Sequence, residues 1–474
     1  MKNYLDQTLR LTVLVFLLLA GLSLLPENLS IGGVALRRMD VFADIRASNR
    51  DTVPQDPPGQ AIAPPMDTTE VPDSGLDSLG YVRAVSPDLF GQIIEDYTPE
   101  QTGMDRFFAA VDAIRTQRRA VRIAFFGDSF VEGDILLGDL RDTLQTRWGG
   151  AGVGYVPITS EVARFKRTLV HRYENWRTFS IVKNSRSGEP FGINGFVYRP
   201  KPQAFVHYEG ADYFKHTGRW THFRLFYHAD TVAQFVWQNQ SSFPRYDSLP
   251  TSDGALSIWS WKQSEPATRA FALRFDAPDS TLILYGASLE SGPGVYVDNF
   301  SVRGNTGGRL KLIQPGLARQ FDAAQQYELI VVQLGLNAVT PKLDNLRWYE
   351  AELDQTYAHL RKCFSGKLIL AISVADRAGK IQGELATYPS VVAITEMQRA
   401  LARKHGFLFF DLFHGMGGPG TMVEFAEHRR PALANRDYTH LTHEGGKVMG
   451  HMFAQLLLDA QEEYKTRKAT RHSK

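Results

Sequence analysis

The sequence predicts an α/β domain with a parallel sheet covered on both faces, interrupted by a block of antiparallel β-structure. Three observations carry this. The runs LIVVQL at 329–334 and KLILAIS at 367–373 are apolar without alternation, as strands buried on both faces must be. Such runs alternate with stretches of helical periodicity. Between about 155 and 302 that rhythm stops, and short aromatic and β-branched runs such as THFRLFYHA and LSIWSWK follow one another, separated by Gly, Pro, Ser and Asp, which is the spacing of a β-sandwich.

In chain order the α/β pattern predicts a helix over 106–116, a strand over 121–126, the turn GDSFVEGD, and a helix over 135–148. After the β-rich block come a strand over 329–334, a helix over 348–363, a strand over 367–374, a helix over 391–405, a strand over 407–412 and a last helix over 444–460. The basic stretch at 465–474 reads as a solvated tail. The β-rich block is therefore an insertion within one α/β domain.

Ahead of this domain, residues 11–25 (LTVLVFLLLAGLSLL) form an uncharged run preceded by Lys2 and Arg10 and stopped by Pro26. No clear A-x-A cleavage triplet follows, so the run reads as an uncleaved signal anchor, with a cleaved signal peptide as the alternative. Lys2 and Arg10 favour a cytoplasmic N-terminus, which leaves the rest of the chain in the periplasm or otherwise outside the cytoplasm. The next stretch carries Pro54, Pro57, Pro58, Pro64, Pro65 and Pro72 among polar residues, the composition of a flexible linker. The expected division is 1–38 anchor, 39–97 linker, 98–154 first part of the α/β domain, 155–302 insertion, 303–460 second part and 461–474 tail.

Composition excludes several function classes. With 53 basic and 51 acidic residues the formal charge of the 474-residue chain is +2, which gives no basis for a dedicated nucleic-acid binder. One cysteine, Cys363, precludes an internal disulfide and any Cys-rich zinc or iron–sulfur site. No phosphate loop, H-E-x-x-H or paired catalytic carboxylates stand out, so no metal or cofactor is expected.

Four groups of residues carry chemistry. Gly127-Asp128-Ser129 follows a buried strand and precedes a helix, placing Ser129 at the carboxyl edge of the sheet, where α/β ligand sites form. By itself such a triplet is an ordinary turn, with Ser129 a helix cap. Asp437-Tyr438-Thr439-His440 puts a carboxylate within reach of an imidazole Nδ1. Gly335-Leu336-Asn337 follows another strand and offers a side-chain amide. Gly304 lies where the insertion returns to the α/β domain. A serine hydroxyl needs an imidazole to take its proton, a carboxylate to fix that imidazole, and donors for the oxyanion; all three parts are present.

Taken together and in order, these groups resemble the four sequence blocks of the SGNH, or GDSL, hydrolase superfamily, over roughly 121–129 and 301–457. The resemblance implies a flavodoxin-like three-layer α/β/α sandwich. It also implies Ser129 as nucleophile, His440 as base, Asp437 as its orienting acid, and an oxyanion hole from the Ser129 and Gly304 amides and the Asn337 side chain. Ala338 departs from the pattern, since an acid often follows that asparagine, and puts the geometry of the loop in question. A β-rich insertion between the first two blocks is similar to that of periplasmic peptidoglycan O-acetylesterases, which carry a carbohydrate-binding-module-like sandwich there. Trp220, Trp237, Trp259 and Trp261 are either sugar platforms or, more simply, sandwich core. GMGGPG at 415–420 is a lid or a plain connector, and His443 a surface or capping residue.

The reading that follows is a membrane-anchored extracytoplasmic esterase that removes acetyl groups from an O-acetylated cell-envelope glycan. One alternative is O-acetyl transfer by the same triad, with a membrane-bound acyltransferase as donor partner. Another is a non-catalytic glycan-binding protein.

Overall fold

The computed structural model describes residues 30–31, 34–35, 93–99, 101–342 and 345–472. Ser30–Ile31 pairs antiparallel with Val34–Ala35. The apolar run at 11–25 and nearly all of the proline-rich stretch lie outside the described residues. Among those described, no helix is long and apolar enough to cross a membrane.

The α/β part is built on a six-stranded sheet in the order Gly294–Ser301, Ala120–Gly127, Tyr327–Gln333, Leu368–Ile372, Leu408–Phe410, Glu95–Asp96. The first five strands are parallel and the last is antiparallel. Their near-continuous burial matches their unalternated sequence, because helices cover both faces. Helices Gly103–Asp112 and Leu137–Trp148 pack with His443–His472, while Pro315–Gln325 and Pro389–His405 pack with Arg347–Cys363. The parallel strands, counted by sequence, run 2-1-3-4-5. The strand order therefore reverses beside Ala120–Gly127, and a crevice opens outside the carboxyl ends of that strand and its neighbours.

The insertion is a continuous nine-stranded antiparallel ladder folded over its own core. Phe223 and Phe271, on strands that do not pair with each other, stack at 4.1 Å across that core. Trp220 and Trp237 are buried in it, and Trp259 and Trp261 pack against it half-buried, so the core reading of these tryptophans holds for the burial observed.

The boundaries differ from 155 and 302. Ala151–Val156 already pairs within the insertion's sheet, whereas Gly294–Ser301 pairs in parallel with Ala120–Gly127. Its sequence, GVYVDNFS, has the aromatic and β-branched character of the preceding strands, which hid the change of sheet. The two sheets are tied by a buried ion pair: Arg122 of the parallel sheet grips Glu290 of the insertion with two hydrogen bonds of 2.8 and 2.6 Å. Arg224 shares Glu290 at 2.8 Å. Burial pushes the Glu290 carboxyl upward, but the two guanidinium charges outweigh it and hold it well below the ordinary carboxylate range.

The basic tail is also a correction. The last helix runs without a break from His443 to His472. Tyr464 is buried, Arg467 reaches Asp105 at 2.7 Å and Lys468 reaches Asp112 at 2.8 Å, so this end of the helix docks on Gly103–Asp112. Helix Pro315–Gln325 and the hairpin Ala378–Ile381 with Glu384–Thr387 were not foreseen.

Candidate active site

Strand Ala120–Gly127 ends in a turn pinned by Asp128, whose buried carboxylate accepts from the Phe130 N–H at 3.0 Å. The turn presents Ser129 at the crevice. From the other end of the fold comes the loop before the last helix. It is closed by hydrogen bonds from Asn435 N–H to His440 O (2.8 Å) and from Tyr438 N–H to Asn435 O (2.9 Å). Tyr438 sits at φ 51°, in the left-handed region that costs a non-glycine residue about 1 kcal/mol. The bend lets the Thr439 and His440 N–H groups both donate to Asp437 Oδ1 at 3.0 Å.

These two ends of the chain meet. His440 Nδ1 lies 2.7 Å from Asp437 Oδ2, and His440 Nε2 lies 3.0 Å from Ser129 Oγ. Burial alone raises the Asp437 carboxyl, but hydrogen bonds from the His440 ring and from the His440 and Thr439 N–H groups outweigh it and leave the group below its ordinary value. It is thus ionised at neutral pH and suited to holding an imidazole in one orientation. Among the described residues no cluster of metal-ligating side chains occurs.

Asn337 follows strand Tyr327–Gln333 on the short turn Leu336–Ala338. Ala338 is buried and its N–H donates to Gly335 O at 2.8 Å, so the turn closes without the missing acid. The Asn337 amide donates to Asp128 Oδ2 and to Asn305 O, both at 3.3 Å. Asp128 and Asn305 therefore orient it, a role that sequence reading did not identify. Asp128 was legible only as part of the GDS triplet, and Asn305 only as the neighbour of Gly304. Burial pushes the Asp128 carboxyl up to about 6, against the hydrogen bonds it receives. Gly304 is exposed at φ 77°, a backbone conformation natural to glycine, and a Cβ there would stand 3.7 Å from Val182 of the insertion.

The remaining sequence candidates fall elsewhere. Residues 415–420 are tied to their surroundings by hydrogen bonds, among them Gly418 N–H to Phe413 O at 2.9 Å and Gly420 N–H to Thr387 Oγ1 of the hairpin at 2.7 Å. His443 opens the last helix. A second D-x-x-H, Asp411 to His414, makes the same kind of contact at 2.8 Å, yet His414 has no hydroxyl partner among the described residues.

Comparison with known proteins bears on this arrangement. Residues 275–448 match the GDSL-like lipase/acylhydrolase family. No curated protein matches the chain. Among solved structures, a peptidoglycan O-acetylesterase superposes with a TM-score of 0.63 at 17% identity, over 78% of this chain and 99% of that one. At that identity the likeness is one of fold, and the fold is that of the SGNH hydrolases. A family 29 carbohydrate-binding module from Piromyces equi aligns at 11% identity over 31% of this chain and 91% of its own, with a TM-score of 0.20.

Proposed function

We propose that this chain, which carries a GDSL-like lipase/acylhydrolase domain, is an extracytoplasmic serine esterase that removes acetyl groups from an O-acetylated glycan of the cell envelope. The observation that carries the reading is the hydrogen-bonded line from Asp437 through His440 to Ser129. His440 Nε2 takes the proton from Ser129 Oγ as that oxygen attacks the acetyl carbonyl carbon. Asp437 keeps the imidazole in the tautomer with Nδ1 protonated and stabilises the imidazolium. The carbonyl oxygen becomes an oxyanion and is met by the Ser129 and Gly304 N–H groups and by the Asn337 amide, which gives up one of its two 3.3 Å contacts to donate there. His440 then returns its proton to the sugar oxygen, which leaves as a hydroxyl. Water, deprotonated by His440, attacks the acetyl-serine, and acetate departs as Ser129 recovers its proton.

The extracytoplasmic placement rests on the apolar run at 11–25 and the basic residues before it. The glycan is supported by the likeness of fold to an enzyme of that substrate class and by the sandwich beside the crevice. The test is acetate release from O-acetylated peptidoglycan and from a small acetyl ester by purified protein. Absence of release from both overturns the reading.

A further inference from the structure

A cleft lined by residues that follow Ser129 and precede Gly304 in the chain has two walls, which come from the two parts of the molecule. One wall is Glu132, Gly133 and Arg303, three to four residues past Ser129 and one residue before Gly304. The other is supplied by the insertion and includes Val162, Lys166 and Lys183. The insertion's loop is fastened in place. Thr168 Oγ1 donates to the buried carboxylate of Asp134 at 2.8 Å, and Tyr173 Oη donates to Ser160 O at 2.9 Å. At its far end Arg167 donates to Tyr213 Oη at 2.6 Å and approaches Glu444 of the last helix at 4.0 Å, four residues after His440. The loop thus reaches the segments that follow both Ser129 and His440.

The charges in this cleft do not balance. Asp134 is matched by Arg141 at 3.5 Å and takes a further hydrogen bond from Asn299 at 2.8 Å. Glu132 is matched by Arg303 at 2.7 Å, and Glu161 pairs with Lys183. Lys166 is left over. It sits close enough for its charge to act on Asp134 and Glu132, yet its Nζ makes no hydrogen bond or ion pair among the described residues. Burial lowers its pKa, a cost of holding an ammonium short of acceptors that a bound anion would offset. One residue before it, Phe165 is 66% exposed and offers a ring face such as sugars stack on.

We infer that this cleft is a substrate subsite for an acidic saccharide, in which Lys166 receives a single carboxylate carried by the sugar near the acetyl ester, as in a uronic acid or a lactyl-ether sugar. The inference deepens the esterase reading and rests on it for what happens at the ester. Glu132, Asp134 and Glu161 are already neutralised by their partners, so one unmatched positive charge remains to select one negative charge. A neutral sugar offers Lys166 only hydroxyl acceptors and no opposite charge, which is the basis of discrimination.

The test is a calorimetric titration of the wild-type protein with two deacetylated probes, a uronic-acid oligosaccharide and a disaccharide of N-acetylglucosamine and muramic acid. Each is compared with its carboxyl-reduced counterpart. At least one acidic form should bind about tenfold or more tightly than its reduced form, and that advantage should shrink as salt is raised. Which acid shows it identifies the source of the carboxylate. The advantage should fall to about twofold or less in Lys166→Gln and return in Lys166→Arg. Equal binding of acidic and reduced forms by the wild type overturns the inference without any variant, and so does an advantage that survives in Lys166→Gln. Binding is read without turnover. A protein that binds the acid but releases no acetate from any ester defeats the esterase reading alone.

Discussion

The parallel sheet and the insertion bury their residues in different ways. Leu368–Ile372 is buried at every position, whereas Ser257–Lys262 of the insertion alternates between half-buried and exposed. The first pattern needs cover on both faces and leaves only the strand ends free. The side chains of the Ser129, His440 and Asn337 cluster, and the Asp437 loop beside them, accordingly sit past strand ends or ahead of the last helix. The insertion has faces to spare, and it contributes walls without a single atom of the Asp437–His440–Ser129 line. On the proposed function, chemistry is thus confined to one part and selection of the substrate is open to the other.

The strongest way to break that division is to remove the reacting groups. Ser129→Ala and His440→Ala should each lower acetate release by about 10⁴-fold or more on polymer and small ester alike, with Asp437→Asn somewhat milder, measured by steady-state kinetics. Near wild-type turnover by Ser129→Ala would place the chemistry elsewhere. Asn337→Ala should reduce kcat by about 100- to 1000-fold with KM little changed, because its amide is used as oxyanion charge develops. A loss confined to KM would assign it to ground-state binding instead.

The seam between the parts is tested by Glu290→Gln, which strands Arg122 without its carboxylate in a buried place. Denaturant unfolding should show a loss of about 3–5 kcal/mol, with insertion and sheet melting in one transition. Two separated transitions in the wild type would mean that the parts are energetically independent.

A subtler effect concerns Asp128. Its pKa is raised from 3.8 to about 6, so the folded protein holds this proton more tightly than the unfolded chain. The associated stability is complete below about pH 4 and is lost as pH rises through about 6, in total about 3 kcal/mol. The difference in stability between wild type and Asp128→Asn should vary across that window and be flat above it. A difference that is constant from pH 4 to 7 would show that the group is not held protonated. The smallest expected effect is on the insertion's surface. Since no insertion tryptophan is freely exposed, the ring to test is Tyr246, 82% exposed. Tyr246→Ala should cost about two- to fivefold on polymer and nothing on a small ester, and equal losses on both would assign the ring a structural part.

Much of the sheet was legible because a strand buried on both faces has no alternation to hide it. Ser129, Asn337 and His440 were legible because each motif sits directly beside a strand or helix that the pattern already marks. The pairing of Asp411 with His414 shows what the D-x-x-H motif lacks by itself: the same contact forms with no serine opposite among the described residues. The insertion's outbound boundary was not legible, since GVYVDNFS suits either sheet and only its partner strand decides. Nor was the tail, because Arg467 and Lys468 read as solvated charges until Asp105 and Asp112 are brought opposite them. The unmatched charge of Lys166 has no sequence signal at all, as its neighbours are separated from it along the chain.

The two chain crossings between the sheets touch. Val295 N–H donates to Gly149 O at 2.9 Å, and a Cβ on Gly294 would lie 2.0 Å from Gly150 N, so only glycine fits the contact. A segment whose ends meet at one point is a cassette: its length can change without pulling the strands on either side apart. A lineage can in this way keep the Asp437–His440–Ser129 line and change what stands beside it by swapping the segment between Gly150 and Gly294. The exchange carries two conditions, the first being that a replacement must itself cover Phe300 and Phe321, against which Tyr155 and Phe226 of the insertion now pack. The second is that a replacement that brings no carboxylate to the place of Glu290 must be accompanied by a neutral residue at Arg122.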